Sequence, residues 1–174
     1  MQIHEVILVD SNDRPVGTME KMEAHQKGLL HRAFSVFIFN DNNELLLQQR
    51  ALEKYHSGGL WTNTCCSHPS PGESLEAAGA RRLQEEMGFS SGLSRLFAFE
   101  YRVDLDNQLI EHEYDHVLTG NFNGEIIPNP QEVMAFRWIS LNDLRAEVKQ
   151  HPDRFTSWFK IIMDEHIQQF SMLL

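Results

Sequence analysis

The sequence predicts a mixed α/β (α+β) protein with sheet between helices, and three observations predict it. Several short runs rich in β-branched and aromatic residues are bounded by Asn, Asp, Gly and Pro. Few segments carry helical periodicity, and the clearest of them is capped at both ends. Hydrophobic residues make up 41% of the 174 residues, enough to bury a core and to exclude a disordered chain. That length fits one domain spanning residues 1–174.

In chain order, Glu5 to Val9 reads as a strand, residues 11–15 as a turn, and Val16 to Met19 as a second short strand. Glu20 to Lys27 reads as a helical turn ending at Gly28. Ala33 to Phe39 is the next strand, and Asp41-Asn42-Asn43 turns it into a hairpin partner, Glu44 to Arg50. Ser74 is an N-cap for a helix to Met87, stopped by Gly88, with Leu75, Leu83 and Met87 on its apolar side. Arg95 to Val103 and Gln108 to Thr119 are strands joined by residues 104–107, and Ala135 to Ile139 is the last strand. Ser140 and Asp143 have capping-box spacing for a helix that Pro152 ends, and Phe155 to Gln169 reads as a C-terminal helix.

The net charge of -10 argues against nucleic acid as a partner, because a phosphate backbone needs a basic face. A small anion remains possible where a few Lys and Arg converge. The two cysteines are neighbours, an arrangement that strains a disulfide and suits free thiols in a reducing compartment. The first residues lack the basic and apolar regions of a signal peptide, and no apolar run approaches the ~20 residues of a membrane span. The expected setting is cytoplasmic, with no membrane partner, as a monomer or alternatively a homodimer.

The chemistry concentrates in residues 61–89, where Cys66 and His68 precede a helix ending in Glu85-Glu86. A thiol can serve as an acid or base when its surroundings shift it, although most cysteines are inert and buried, a description that suits Cys65 better. If 65 and 66 lie in a strand, they point opposite ways. Glu111, Glu113 and Asp115 share one face of a strand. Such a face is more often solvated; buried, it needs a cation or raised pKa values. Nine histidines are many for this length, yet each alone is ordinary. His25, His31 and His68 with two carboxylates would form a mixed N and O set that suits a six-coordinate divalent ion better than structural zinc. Arg81/Glu85 and Arg82/Glu86 read singly as surface ion pairs worth ~0.3–0.5 kcal/mol each. Lys21, Arg50, Lys54 and Arg82 are equally ordinary singly, but Lys and Arg together can hold a diphosphate.

The segment from Ser67 resembles the Nudix signature G-x5-E-x7-R-E-U-x-E-E-x-G-U. Glu73, Arg81, Leu83, Glu85, Glu86, Gly88 and Phe89 match it, while Ser67 replaces the leading Gly and Arg82 replaces a Glu. Losing an acid and gaining a cation weakens a hydrolase reading. The flanking sequence resembles the type I isopentenyl-diphosphate delta-isomerases. It does so in Gly17-Thr18-Met19-Glu20-Lys21, His25, Leu30 to Ser35, Gln49 to Lys54, Trp61 to Pro69, Tyr101-Arg102, Glu111-His112-Glu113 and Phe155 to Phe159. The resemblance runs in order along nearly the whole chain.

It implies a Nudix-type α/β/α sandwich with a mixed sheet. It implies that His25, His31, His68, Glu111 and Glu113 bind one divalent ion, whether zinc, manganese or magnesium. A magnesium arriving with the substrate would use Glu86 and the backbone carbonyl of Cys66. Lys21, Arg50, Lys54 and Arg82 match diphosphate-contacting positions, which gives Arg82 a reason to stand where hydrolases carry Glu. The implied reaction moves a double bond between isopentenyl and dimethylallyl diphosphate, with Cys66 and Glu113 as the acid–base pair and Tyr101 assisting Glu113. The sequence does not set which of the two protonates first. Trp61 and Trp158 are the expected walls around a carbocation-like centre, with core packing as their ordinary alternative. The competing readings are a Nudix hydrolase of a nucleoside diphosphate derivative and a metal-binding module without turnover.

Overall fold

The computed structural model describes residues 4–173. β1 (Glu5–Val9) and β2 (Pro15–Glu20) form an antiparallel pair, followed by the short helix α1 (Lys21–Lys27), which ends on Gly28 at φ 62°. β3 (His31–Phe39), β4 (Glu44–Arg50), β5 (Trp61–Thr62) and β6 (Cys65–Ser67) precede α2 (Leu75–Met87). β7 (Ser94–Asp104), β8 (Ile110–Asn121) and β9 (Val133–Ser140) lead into α3 (Leu141–Gln150) and α4 (Ser157–Glu165).

β3 is the centre. It pairs in parallel with β8 along one edge and antiparallel with β1, β6 and β4 on the other. Parallel and antiparallel pairings together make the sheet mixed. β3 is buried along nearly its whole length because both faces are covered, which is why it reads as a continuous apolar run. Phe34, Val36 and Ile38 pack toward Leu75, Ala78, Leu83 and Met87 of α2. Phe37 and Phe39 pack toward Phe159, Ile162 and Met163 of α4. Sheet between two helical layers is the expected sandwich, and the described residues include no helix long and apolar enough to cross a membrane.

α2 forms where its caps predict. Ser74 Oγ accepts from Ala77 N, and Gly88 closes the helix at φ 79°, where a Cβ would lie 2.2 Å from the Ile127 carbonyl oxygen. Ser140 likewise accepts from Asp143 N, but Asp143 answers the Ser140 hydroxyl rather than its backbone N–H. Two expectations need correction, and two short strands are added to them. The β3–β4 hairpin is bonded only at Phe39↔Leu45, because β6 takes the adjoining edge of β3, and β4 pairs instead with β9 over Glu44–Arg50. Residues 61–62 and 65–67 are strands in their own right. The C-terminal helix is shorter than 155–169. Phe155 is extended and bridges Trp61, and the Thr156 hydroxyl is spent on Thr62 Oγ1. After His166 the chain tightens to a 3-10 segment over Ile167–Met172.

Candidate active site

Strand register assembles the site. Across β7, β8 and β3, Tyr101 stands beside Glu113 and Glu113 beside His31. On the other edge of β3, Ser35 stands beside Cys66. Alternation sends Cys65 into the α2-side core and leaves Cys66 against the α4-side core. Glu111, Glu113 and Asp115 are all buried, so their shared face is interior rather than solvated.

His25, His31, His68 and Glu113 bring their ligand atoms within 4.8 Å of one another. His25 Nδ1 lies 2.7 Å from the Lys21 carbonyl and His31 Nδ1 lies 2.8 Å from that of Leu29. A ring N–H donated to each carbonyl leaves the Nε2 lone pairs facing inward. His68 Nε2 is 2.9 Å from Glu113 Oε1, and His31 Nε2 is 3.4 Å from it. Burial holds His25 and His68 below the usual imidazole pKa, His68 down to about 4, so both are neutral and fit to ligate at pH 7. His25 Nε2 is buried with no hydrogen-bond partner, so these residues fit a divalent ion. Glu111 stands outside this group of four, beside His25 and His56, and is tied to it through Tyr101. The Tyr101 hydroxyl donates to Glu113 Oε2 at 2.7 Å and to Glu111 Oε2 at 3.1 Å. Burial and the neighbouring Glu113 push the Glu111 carboxyl up. Burial acts on Glu113 the same way, but its contacts with His31 and His68 outweigh burial and hold its carboxyl well below the usual range.

Cys66 Sγ faces Asn63 Oδ1 at 3.1 Å and accepts from Trp158 Nε1 at 3.2 Å. Asn63 is locked by donating to the Val36 and Cys65 carbonyls, which turns its Oδ1 toward the thiol. Thr64 ties the same segment to Leu46 and Ile38, so the Thr-Asn-Thr-Cys-Cys run is a rigid hydrogen-bonded platform. Burial, then the Asp115 charge, pushes the Cys66 thiol up to about 12, so it holds its proton at neutral pH. Alkylation by iodoacetamide at pH 7.5 is therefore expected to be at least ~10-fold slower than for an exposed cysteine peptide, and to keep rising with pH above 9, where the peptide levels off. A rate equal to the peptide's would contradict the half-buried, neutral thiol. Asp115, left unassigned by the sequence, accepts from Ser35 Oγ at 2.7 Å, and that hydroxyl lies 3.9 Å from Cys66 Sγ. His116 faces away and pairs with Asp13, which also holds Arg32.

Cationic groups also line the cleft. Lys21, Arg50, Lys54 and Arg82 line it together with Cys66, Tyr101, Glu86, Glu113 and Trp158. Arg50 Nε and Arg82 Nε are buried donors without partners, which suits an anion. Arg82 pairs with Glu86 and Glu85, both at 2.5 Å, and Gln48 donates to the other Glu86 oxygen. Arg81 forks onto Glu73 rather than forming chiefly its expected pair with Glu85, which lies 3.6 Å away. Lys54 pairs with Glu132, a residue the sequence reading missed. Burial, then repulsion from Lys54 and Arg82, lowers the Lys21 pKa, as expected where cations converge. Trp158 is a wall and a hydrogen-bond donor to the thiol. Trp61 is not among the cleft's lining residues. Its ring packs on the α4-side core with the Arg137 guanidinium 4.6 Å over it, so packing accounts for it.

Residues 29–159 match the NUDIX domain family. The chain is 53% identical to the Isopentenyl-diphosphate Delta-isomerase 2 of Photorhabdus laumondii, over 91% of the chain and 90% of that protein. It is 53% identical to the Isopentenyl-diphosphate Delta-isomerase of Pectobacterium atrosepticum, over 92% and 90%. It is 52% identical to that of Photobacterium profundum, over 96% of each. Among solved structures, the MutT protein of Methanosarcina mazei superposes with a TM-score of 0.66 at 17% identity, over 83% of this chain and 94% of that one. The MutT NUDIX hydrolase of Burkholderia pseudomallei gives 0.62 at 21% identity, over 79% and 98%. At those identities the likeness concerns the fold.

Proposed function

The chain belongs to the NUDIX family and, within it, to the isopentenyl-diphosphate Delta-isomerases, and on that premise we propose how its residues interconvert isopentenyl and dimethylallyl diphosphate. One proton is added to the terminal methylene carbon and one is removed from the carbon on the far side of the central carbon. The double bond moves by one position, and positive charge gathers on the tertiary carbon in between. Two acid–base groups flanking the substrate are needed. Cys66 and Glu113 are that pair, and the observation that carries the reading is their place in one cleft, the thiol held by Asn63 and Trp158 and the carboxylate by His68 and Tyr101.

Cys66 carries a proton, fixed between Asn63 Oδ1 and Trp158 Nε1. Glu113 has its Oε1 toward the histidines and its Oε2 toward the Tyr101 hydroxyl, which can pass or share a proton at that oxygen. His25, His31, His68 and Glu113, with Glu111 adjoining, would hold a divalent ion, whose positive charge would fix the Glu113 carboxylate. Each turnover leaves the donor without its proton and the acceptor with one, so both reset by exchange with solvent before the next. Trp158 excludes water from the cationic centre and offers it an aromatic face, worth ~0.5–2 kcal/mol. Lys21, Arg50, Lys54 and Arg82 take the diphosphate. A magnesium accompanying it would use Glu86 and the Cys66 carbonyl, with manganese, zinc or magnesium at the histidine site. The substrate is the small-molecule partner, and the proposed setting is cytoplasmic, as a monomer or alternatively a homodimer.

Trp158→Ala is expected to lower turnover ~100-fold or more while metal content, read by atomic emission, stays unchanged. Trp158→Phe keeps the ring and removes the N–H donor, so it should fall between the two. Equal loss of metal and turnover would contradict the assigned role. A NUDIX hydrolase of nucleotides is disfavoured by Arg82 in place of the signature acid. Parallel assays test that choice: isopentenyl diphosphate should be isomerised without phosphate release, and a nucleoside diphosphate derivative should stay intact.

A further inference from the structure

Among the described residues, two buried imidazole nitrogens lack hydrogen-bond partners: His25 Nε2 and His56 Nε2. The group of four metal-facing residues accounts for the first. Nothing so far accounts for the second. His56 is 4% exposed and sits in the 51–60 loop, and Arg50 donates to its carbonyl at 3.1 Å. Its ring is held edge-on against Tyr55 at 4.3 Å and Trp158 at 5.8 Å between centroids. His56 Nε2 is 3.3 Å from Glu111 Oε1, yet forms no hydrogen bond with it. His25, His56 and Glu111 bring their ligand atoms within 4.8 Å of one another. His56 Nδ1 lies 3.2 Å from Ser57 Oγ. With the ring proton on that side, the Nε2 lone pair faces a carboxylate oxygen, a contact that a cation lying between them would turn from repulsive to attractive.

We propose that His56 is a further donor to the divalent ion, entering on the Glu111 side. Glu111 then joins the site together with His56, and His25 is shared between the two groups. His25, His31, His56, His68, Glu111 and Glu113 are six N and O donors, the number a six-coordinate divalent ion takes. This rests on the metal-site reading above, and one experiment separates the two.

Metal-free protein is titrated with Co(II) against a competing chelator, and the cobalt-loaded protein is then examined by proton NMR for paramagnetically shifted ring N–H signals. The wild type should bind cobalt and show four such signals, one for each histidine. His56→Gln retains an amide near Glu111 but no imidazole nitrogen. It should bind cobalt ~10–100-fold more weakly and lose one signal. Unchanged affinity, or a variant with as many shifted signals as the wild type, would overturn the proposal and leave His56 as a support for Glu111. Should the variant not fold, three signals in the wild type would overturn it equally. A wild type that takes up no cobalt would overturn the metal-site reading along with it.

Discussion

Cys66→Ala is expected to lower turnover at least ~1,000-fold, within the range that a positioned acid–base group contributes. The thiol lies on the strand face turned toward the cleft, while its neighbour Cys65 is fully buried against α2. Asn63 and Trp158 fix its position, and burial keeps it protonated. The side chains in contact with the thiol, Ser35, Asn63 and Trp158, do not titrate near neutral pH. Cys66→Ser keeps the size and one hydrogen bond but raises the acid's pKa further, so it too should be nearly inactive. Both variants should retain metal, because Sγ is outside the group of ligand atoms. Normal turnover by Cys66→Ala would remove the thiol from the mechanism.

Glu113→Gln is expected to cost a similar factor, but with a different signature. The substitution preserves shape and removes the charge that His31, His68 and Tyr101 all address. Turnover should fall at least ~1,000-fold, and metal affinity should fall with it. Tyr101→Phe separates the two effects. It deletes only the hydroxyl bridging Glu111 and Glu113, so turnover should drop ~10–100-fold with metal retained. Metal content is read by atomic emission and turnover with isopentenyl diphosphate. A Glu113→Gln protein that keeps full activity would contradict the acid–base pair itself.

Local chemistry explains which parts of this arrangement were legible in the sequence. Ser74 and Gly88 mark α2 because caps are local features, and two-residue alternation separates Cys65 from Cys66 and groups Glu111 with Glu113 and Asp115. The histidine and glutamate set stood as a conditional in the residues and was fixed to named glutamates by family resemblance, because His31 meets Glu113 through parallel pairing of strands far apart in sequence. His56 carried no signal: a lone histidine in a Gly-Ser loop looks solvated until the loop folds back over the cleft. Glu132 was equally silent, since its pairing with Lys54 and Arg82 depends on where the β8–β9 connection lies. Trp61 looked like a pocket wall from its place beside Cys66, but its ring turns toward Arg137 and the α4-side core. The C-terminal helix was overdrawn because the tie between Thr156 and Thr62 is tertiary and leaves no local trace.

The central claim is that Cys66 and Glu113 exchange protons with the carbon skeleton of the substrate. The most direct test is to follow isopentenyl diphosphate with the metal-loaded protein in deuterated water by proton NMR. The account predicts dimethylallyl signals with deuterium entering the methyl group formed from the methylene carbon, and no release of phosphate. Phosphate release with the alkene unmoved, or dimethylallyl product formed without any uptake of deuterium, would contradict it.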